Sequence, residues 1–198
     1  MINIISKYKI KDTSTKILIS FLFTILIALS AKISVPFYPV PMTMQTFVVL
    51  LCGVILGPKF GFITLSLYFF EGAIGLPVFQ GTPERGLGIL YLMGPTGGYL
   101  VGFIISAFLA GLFLSNTMSS NSKSFTKLNN RNNLTSVFVK LLIALTPVYF
   151  FGLIWLGIIL GWDKPILKIG LYPFIVGEFF KITLLSLIIC KLNNYKLF

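Results

Sequence analysis

The sequence predicts an all-α integral membrane protein, folded as one compact six-helix bundle over residues 1–198 with both termini cytoplasmic. Three observations predict it. Hydrophobic residues make up 56% of the chain and charged residues 11%, against about a quarter charged in soluble domains, and a soluble fold has too little interior to hide that much apolar surface. The apolar residues come in runs whose length approaches that needed to cross a hydrocarbon core. The basic residues fall mostly between those runs, so the net charge of +11 reads as a topology signal. A phosphate-binding protein gathers its lysines and arginines on one face beside stacking aromatics, so nucleic acid is not an expected partner.

The first predicted helix is 16–31, apolar and without an internal breaker. Its basic front and the small Ala31 also fit a cleaved leader, but no soluble domain follows, and the charge count below works only if the run stays. The segment Pro36–Pro41, PFYPVP, is a stiff extended turn. Thr43 and Gln45 after it are polar groups facing outward or into a pocket. Helices two and three, 43–57 and 60–75, are short for spans and join through Gly57-Pro58-Lys59, a breaker pair with one positive charge. The fourth, 95–114, opens with a proline, which is favourable near a helix start. The fifth, 136–160, contains Pro147, where a kink is expected. The sixth is 171–191. Cys52 and Cys190 lie in apolar runs without metal or redox spacing and read as buried small hydrophobes.

Orientation follows from lysine and arginine in the short connections. One side would hold Lys7, Lys9, Lys11, Lys16, Lys59, Lys123, Lys127, Arg131, Lys140, Lys191 and Lys196. The other would hold Lys32, Arg85, Lys164 and Lys168. The richer side is the cytoplasmic one. Residues 1–15 then form a basic cytoplasmic N-terminus. The polar, low-complexity stretch 115–135 is a flexible cytoplasmic loop between two three-helix halves, and 76–94 faces outward.

That outward stretch does not look like a solvated linker. Half of the chain's 18 glycines lie between Gly72 and Gly102, interleaved with leucine, phenylalanine and tyrosine. A lid is predicted, packed by Phe79, Leu87, Leu90 and Tyr91. Arg85 in it either pairs with Glu84 or receives an anionic ligand, because a guanidinium fits a carboxylate bidentately. Gly94–Gly98 either cradles an anion on backbone N–H groups or lets helices approach closely.

Charges inside apolar runs are few: Glu71, Glu178 and Lys181. Each costs about 2.5–3.5 kcal/mol on insertion scales. Glu178 and Lys181 are three residues apart, about 60° apart on one helix face. They form either a structural ion pair or acceptors and donors awaiting a polar ligand. Glu71 either snorkels at the outer interface or caps a turn. Histidine is absent, and no GxSxG, HExxH or P-loop pattern occurs. Neither catalytic residues nor a metal or cofactor is therefore expected, and transport would need an energising partner.

Several segments carry a resemblance. PVPMTMQTFVVLLCGVILGPKFG at 39–61, YFFEGAIGLPVF at 68–79, GPTGGYLVGF at 94–103, YFFGLIWL at 149–156 and YPFIVGEFFK at 172–181 resemble the biotin-specific substrate-binding subunits (BioY) of energy-coupling factor (ECF) transporters. The resemblance covers roughly residues 30–190, and GLPVF with GPTGGYL at this spacing is specific. It implies six helices in a bacterial inner membrane, high-affinity binding of biotin from outside, and docking on a transmembrane coupling protein driven by two cytoplasmic ATPases. The same fold serving thiamin or riboflavin is the alternative.

The resemblance also implies a site. Glu178 would accept from the ureido ring, and Lys181 would donate to it or to the valerate. Arg85 or the Gly94–Gly98 backbone would take the carboxylate. Tyr68, Tyr149 and Trp155 would enclose the thiophane ring and chain, with Gln80, Thr96 and Tyr99 as further binding residues. The family's final motif carries Asp where this chain has Glu178, one methylene longer. Small residues on the first helix make the family's docking face. Ala28 and Ala31 are similar, with Thr24 and Lys32 at four-residue spacing from Ala28 in place of alanine.

Overall fold

The computed structural model describes residues 13–84, 86–118 and 130–194, apart from the side chains at 115–118, 130–133 and 193–194. The chain order is α1 (Thr13–Lys32), β1 (Ser34–Val35), β2 (Met42–Thr43), α2 (Gln45–Ala73), α3 (Ile89–Leu92), α4 (Gly97–Met118), α5 (Asn130–Leu160), α6 (Ile166–Gly170) and α7 (Tyr172–Asn194). Five of these helices are long and apolar enough to cross a membrane. Of the predicted cytoplasmic segments, 1–12, 119–129 and 195–198 lie outside the described residues.

Helices two and three, expected over 43–57 and 60–75, are the two arms of α2, which runs from Gln45 to Ala73 and whose helical turns are broken at Gly57 (φ 78°, ψ 176°). Only glycine takes up that backbone without strain. Pro58, next in line, has no N–H to continue the ladder. The chain folds back there. Gln45 Nε2 donates to the Tyr68 hydroxyl at 2.8 Å, whereas a straight helix would hold these residues about 35 Å apart. The arms 45–56 and 58–73 therefore lie side by side.

Around this hairpin the bundle closes. α4 packs between α2 and α5, α7 touches both α5 and α2, and α1 rests against α2. The α2–α4 contact is backbone-close: a methyl group at Gly53 would overlap the Ala107 carbonyl, and one at Gly111 would overlap the Gly57–Pro58 peptide. Val49, Leu50, Leu65, Leu114, Leu141, Leu156 and Leu185 fill the core. Leu18, Phe21, Leu22, Phe150, Phe179 and Phe180 face outward, as a hydrocarbon solvent allows. Pro147 sits within α5, whose helical turns continue through it. The Thr146 hydroxyl donates to the Ile143 carbonyl at 2.7 Å, replacing the N–H that proline lacks.

Outside the helices, the proline-rich segment after α1 is held by an antiparallel pair, Ser34 opposite Thr43 and Val35 opposite Met42. Val35 precedes Pro36, which biases it toward extended backbone. The lid is folded too. The Phe79 ring is 1% exposed, stacks on Tyr91 at 4.9 Å and meets Tyr68 edge-on at 5.5 Å. Of the four predicted packing residues, Phe79 and Tyr91 are buried while Leu87 and Leu90 are exposed. The single turn α3 has one inward position, and Tyr91 occupies it.

Candidate ligand-binding site

The site starts from the first turn of α2 and the middle of α7. Glu178 and Lys181 share a face of α7, as their spacing requires, and both are buried. Lys181 Nζ donates to Glu178 Oε1 at 2.7 Å, to the Thr43 carbonyl at 2.6 Å and to Thr46 Oγ1 at 3.0 Å. Thr46 Oγ1 in turn donates to Glu178 Oε1 at 2.9 Å. All three ammonium protons thus have protein acceptors, which is what makes a buried charge pair tolerable. The sequence reading offered a structural pair or a pair awaiting ligand. The geometry divides the roles: Oε1 is held by Lys181 and Thr46, while the buried Oε2 makes no hydrogen bond of good geometry among the described residues. The Tyr149 phenol lies beside the same carboxylate.

Glu178 borders a hollow holding about 510 Å3 of empty space, part of it open to solvent. Residues 40–43 with Gln45 and Thr46 form one wall, α4 gives Tyr99, Leu100 and Phe103, α5 gives Val148 and Tyr149, and α7 gives Phe174. The rings form a connected surface: Tyr149 is 6.1 Å from both Tyr99 and Phe174. The Tyr99 hydroxyl is turned away to the Gly170 carbonyl, at 2.8 Å. Thr96 lines the hollow ahead of α4. From the lid comes Gln80, whose Nε2 reaches Ser34 Oγ at 3.4 Å and whose buried Oε1 finds no donor among the described residues.

Of the sequence-predicted site residues, Gln80, Thr96, Tyr99, Tyr149 and Glu178 line the hollow, and Lys181 stands directly behind Glu178. Tyr68 does not line it. Its hydroxyl donates to the Val78 carbonyl at 3.0 Å and accepts from Gln45, so it braces the lid from behind. Trp155 likewise holds the start of α4, donating to the Gly94 carbonyl at 2.9 Å. The Gly94 and Gly97 N–H groups donate to the Tyr91 and Gly94 carbonyls, which takes two donors from any anion cradle there. Glu71 is half-buried beside Thr24, away from the hollow. Arg85 lies outside the described residues.

Thr46, Phe103 and Phe174 were not anticipated. Phe174 carried a signal, being four residues before Glu178 and hence on the same helix face. Thr46 had none in its own helix, because its partners lie on α7, 132 and 135 residues away.

Residues 6–196 match the BioY family. The chain belongs to this family. Among its relatives, a probable biotin transporter BioY of Pyrococcus horikoshii is 38% identical over 81% of this chain and 85% of its own length. The biotin transporter BioY of Thermotoga maritima is 35% identical over 87% of this chain and 92% of its own. A crystal structure of the S-component for biotin from an ECF-type ABC transporter matches with a TM-score of 0.70 and 28% identity, covering 91% of this chain and 92% of that one. BioY proteins are transporters rather than enzymes, and this member is a multi-pass membrane protein.

Proposed function

We propose that this BioY-family chain is the biotin-binding and translocating subunit of an ECF-type vitamin uptake transporter. One observation carries the reading at the atomic level: two buried acceptors on an aromatic-walled hollow, Gln80 Oε1 and Glu178 Oε2, make no hydrogen bond of good geometry among the described residues, the Tyr149 phenol being the one donor beside the Glu178 carboxylate. An unpaired buried acceptor costs about 1–3 kcal/mol, which a ligand bearing N–H donors recovers. The ureido ring of biotin has two such donors. The Glu178–Lys181 pair is neutral as a unit, so it suits an uncharged urea better than the cationic ring of thiamin. Lys181, with its protons already placed, serves to hold Glu178 rather than to touch ligand. Tyr99, Tyr149 and Phe174 cover the thiophane ring and the chain, and Arg85 in the lid takes the valerate carboxylate.

In the membrane, the reversal at Gly57-Pro58 turns α2 into two short crossings and supports a total of six. The positive-inside asymmetry places both termini in the cytoplasm and the lid outside, in the bacterial inner membrane. The sequence carries no P-loop pattern, so a transmembrane coupling protein and two cytoplasmic ATPases supply the energy.

Calorimetric titration of the purified protein with biotin, thiamin and riboflavin tests the reading. Biotin alone should bind tightly. Glu178→Gln should weaken it roughly a hundredfold, about 2–3 kcal/mol, because a neutral amide accepts from the ureido N–H groups more weakly than a carboxylate does. Tighter binding of thiamin or riboflavin than of biotin would overturn it.

A further inference from the structure

Lys32 ends α1, and its ammonium leaves that helix altogether. Nζ donates to the Phe79 carbonyl at 3.1 Å, the Thr82 carbonyl at 3.1 Å and Thr82 Oγ1 at 3.3 Å. Three protons meet three acceptors, all within one turn of the lid. Thr82 Oγ1 closes the same turn by donating to the Phe79 carbonyl at 2.7 Å. An ammonium binding neutral oxygens makes charge-assisted bonds stronger than ordinary ones, yet each can be released singly. Within that turn lies Gln80, whose amide also reaches Ser34, two residues beyond Lys32. The lid is thus tied twice to the chain at the end of α1.

α1 is the peripheral element of the bundle. One stripe, including Phe23, Ile27 and Ala31, is buried, while Ile17, Leu18, Phe21, Leu22, Ile25 and Leu29 are exposed. Elsewhere among the described residues Tyr68, on the arm 58–73, holds the lid through the Val78 carbonyl, and the Phe79–Tyr91 stack closes the lid on itself. The grip from α1 is the only one of these that joins the lid to a helix outside the central packing.

We propose that Lys32 is a positioning residue: it clamps the 79–82 turn to the end of α1, sets Gln80 over the hollow, and so determines how long a bound ligand stays. This rests on the reading of the hollow as the biotin site. Lys32 does not line that hollow, so it acts on the ligand through the lid. Its removal should leave capture largely intact and shorten residence. Displacing α1 would pull on the same three bonds, which makes Lys32 the mechanical link between the peripheral helix and the closed lid.

The test uses the full chain in nanodiscs, with Lys32→Met, Lys32→Arg and Thr82→Val. Two readouts are taken: the dissociation rate of labelled biotin, and amide hydrogen exchange over 77–84 without ligand. Lys32→Met should raise the dissociation rate about tenfold, equivalent to ~1.4 kcal/mol, with association changed less than about twofold, and should speed exchange in 77–84. Lys32→Arg should restore most of both. Thr82→Val, which keeps the lysine, should move both in the same direction but less, and serves if Lys32→Met does not fold. Unchanged exchange, or faster exchange with unchanged dissociation, overturns the proposal. If the unsubstituted protein binds no biotin while Lys32→Met still speeds exchange, the clamp stands and the biotin reading falls.

Discussion

The α2–α4 contact and the lid both draw on glycine, for opposite reasons. At the contact, Gly53 lies in a helix and is needed because the Ala107 carbonyl occupies the place of its side chain. At the entry to the lid, Gly75 has nothing within reach of an added methyl group, but its φ of 104° is one that other residues rarely adopt. One region is held by the exclusion of atoms and yields nothing without repacking. The other is held by backbone conformation, two ring contacts and a handful of directed hydrogen bonds. Bonds of that kind open one at a time, so the lid can move on a scaffold that does not.

Three substitutions would break or sharpen that contrast. Gly53→Ala should have the largest effect, about 3 kcal/mol of lost stability, because overpacking against backbone finds no rotamer to relieve it. Thermal unfolding in detergent should show it as a lower midpoint and reduced folded yield. Gly75→Ala should cost about 1–2 kcal/mol through strain alone, and most of it should appear as faster hydrogen exchange in 77–84. An equal drop in the unfolding midpoint for the two variants would erase the distinction. Tyr68→Phe should be mildest, about 1 kcal/mol for the two bonds its hydroxyl makes, one donated to the Val78 carbonyl and one accepted from Gln45 Nε2. Biotin affinity should fall less than tenfold, since the ring does not line the hollow. A hundredfold loss would restore Tyr68 to the site.

Much of this was legible in the sequence, because composition and spacing act locally. The apolar runs gave the helices, and Gly57-Pro58 marked the break at which the chain reverses. The three-residue interval placed Glu178 and Lys181 on one face, where they pair at 2.7 Å. Other parts were not legible. Tyr68 and Trp155 looked like pocket walls because they are aromatics in apolar motifs, yet each uses its polar atom to hold a backbone carbonyl elsewhere. Leu87 and Leu90 looked like lid packing because hydrophobicity carries no direction within a single turn.

By itself, then, the sequence determined that this chain lives in lipid, where it turns, and which two charges must share a helix face. Those follow from transfer free energy, backbone sterics and helix periodicity, all properties of neighbours along the chain. Tertiary structure alone decided that Thr46 and the Thr43 carbonyl would take up Lys181 beside Glu178, and that Lys32 would reach across to the 79–82 turn. Such choices depend on which donors and acceptors meet after distant segments pack, and no local pattern encodes that meeting.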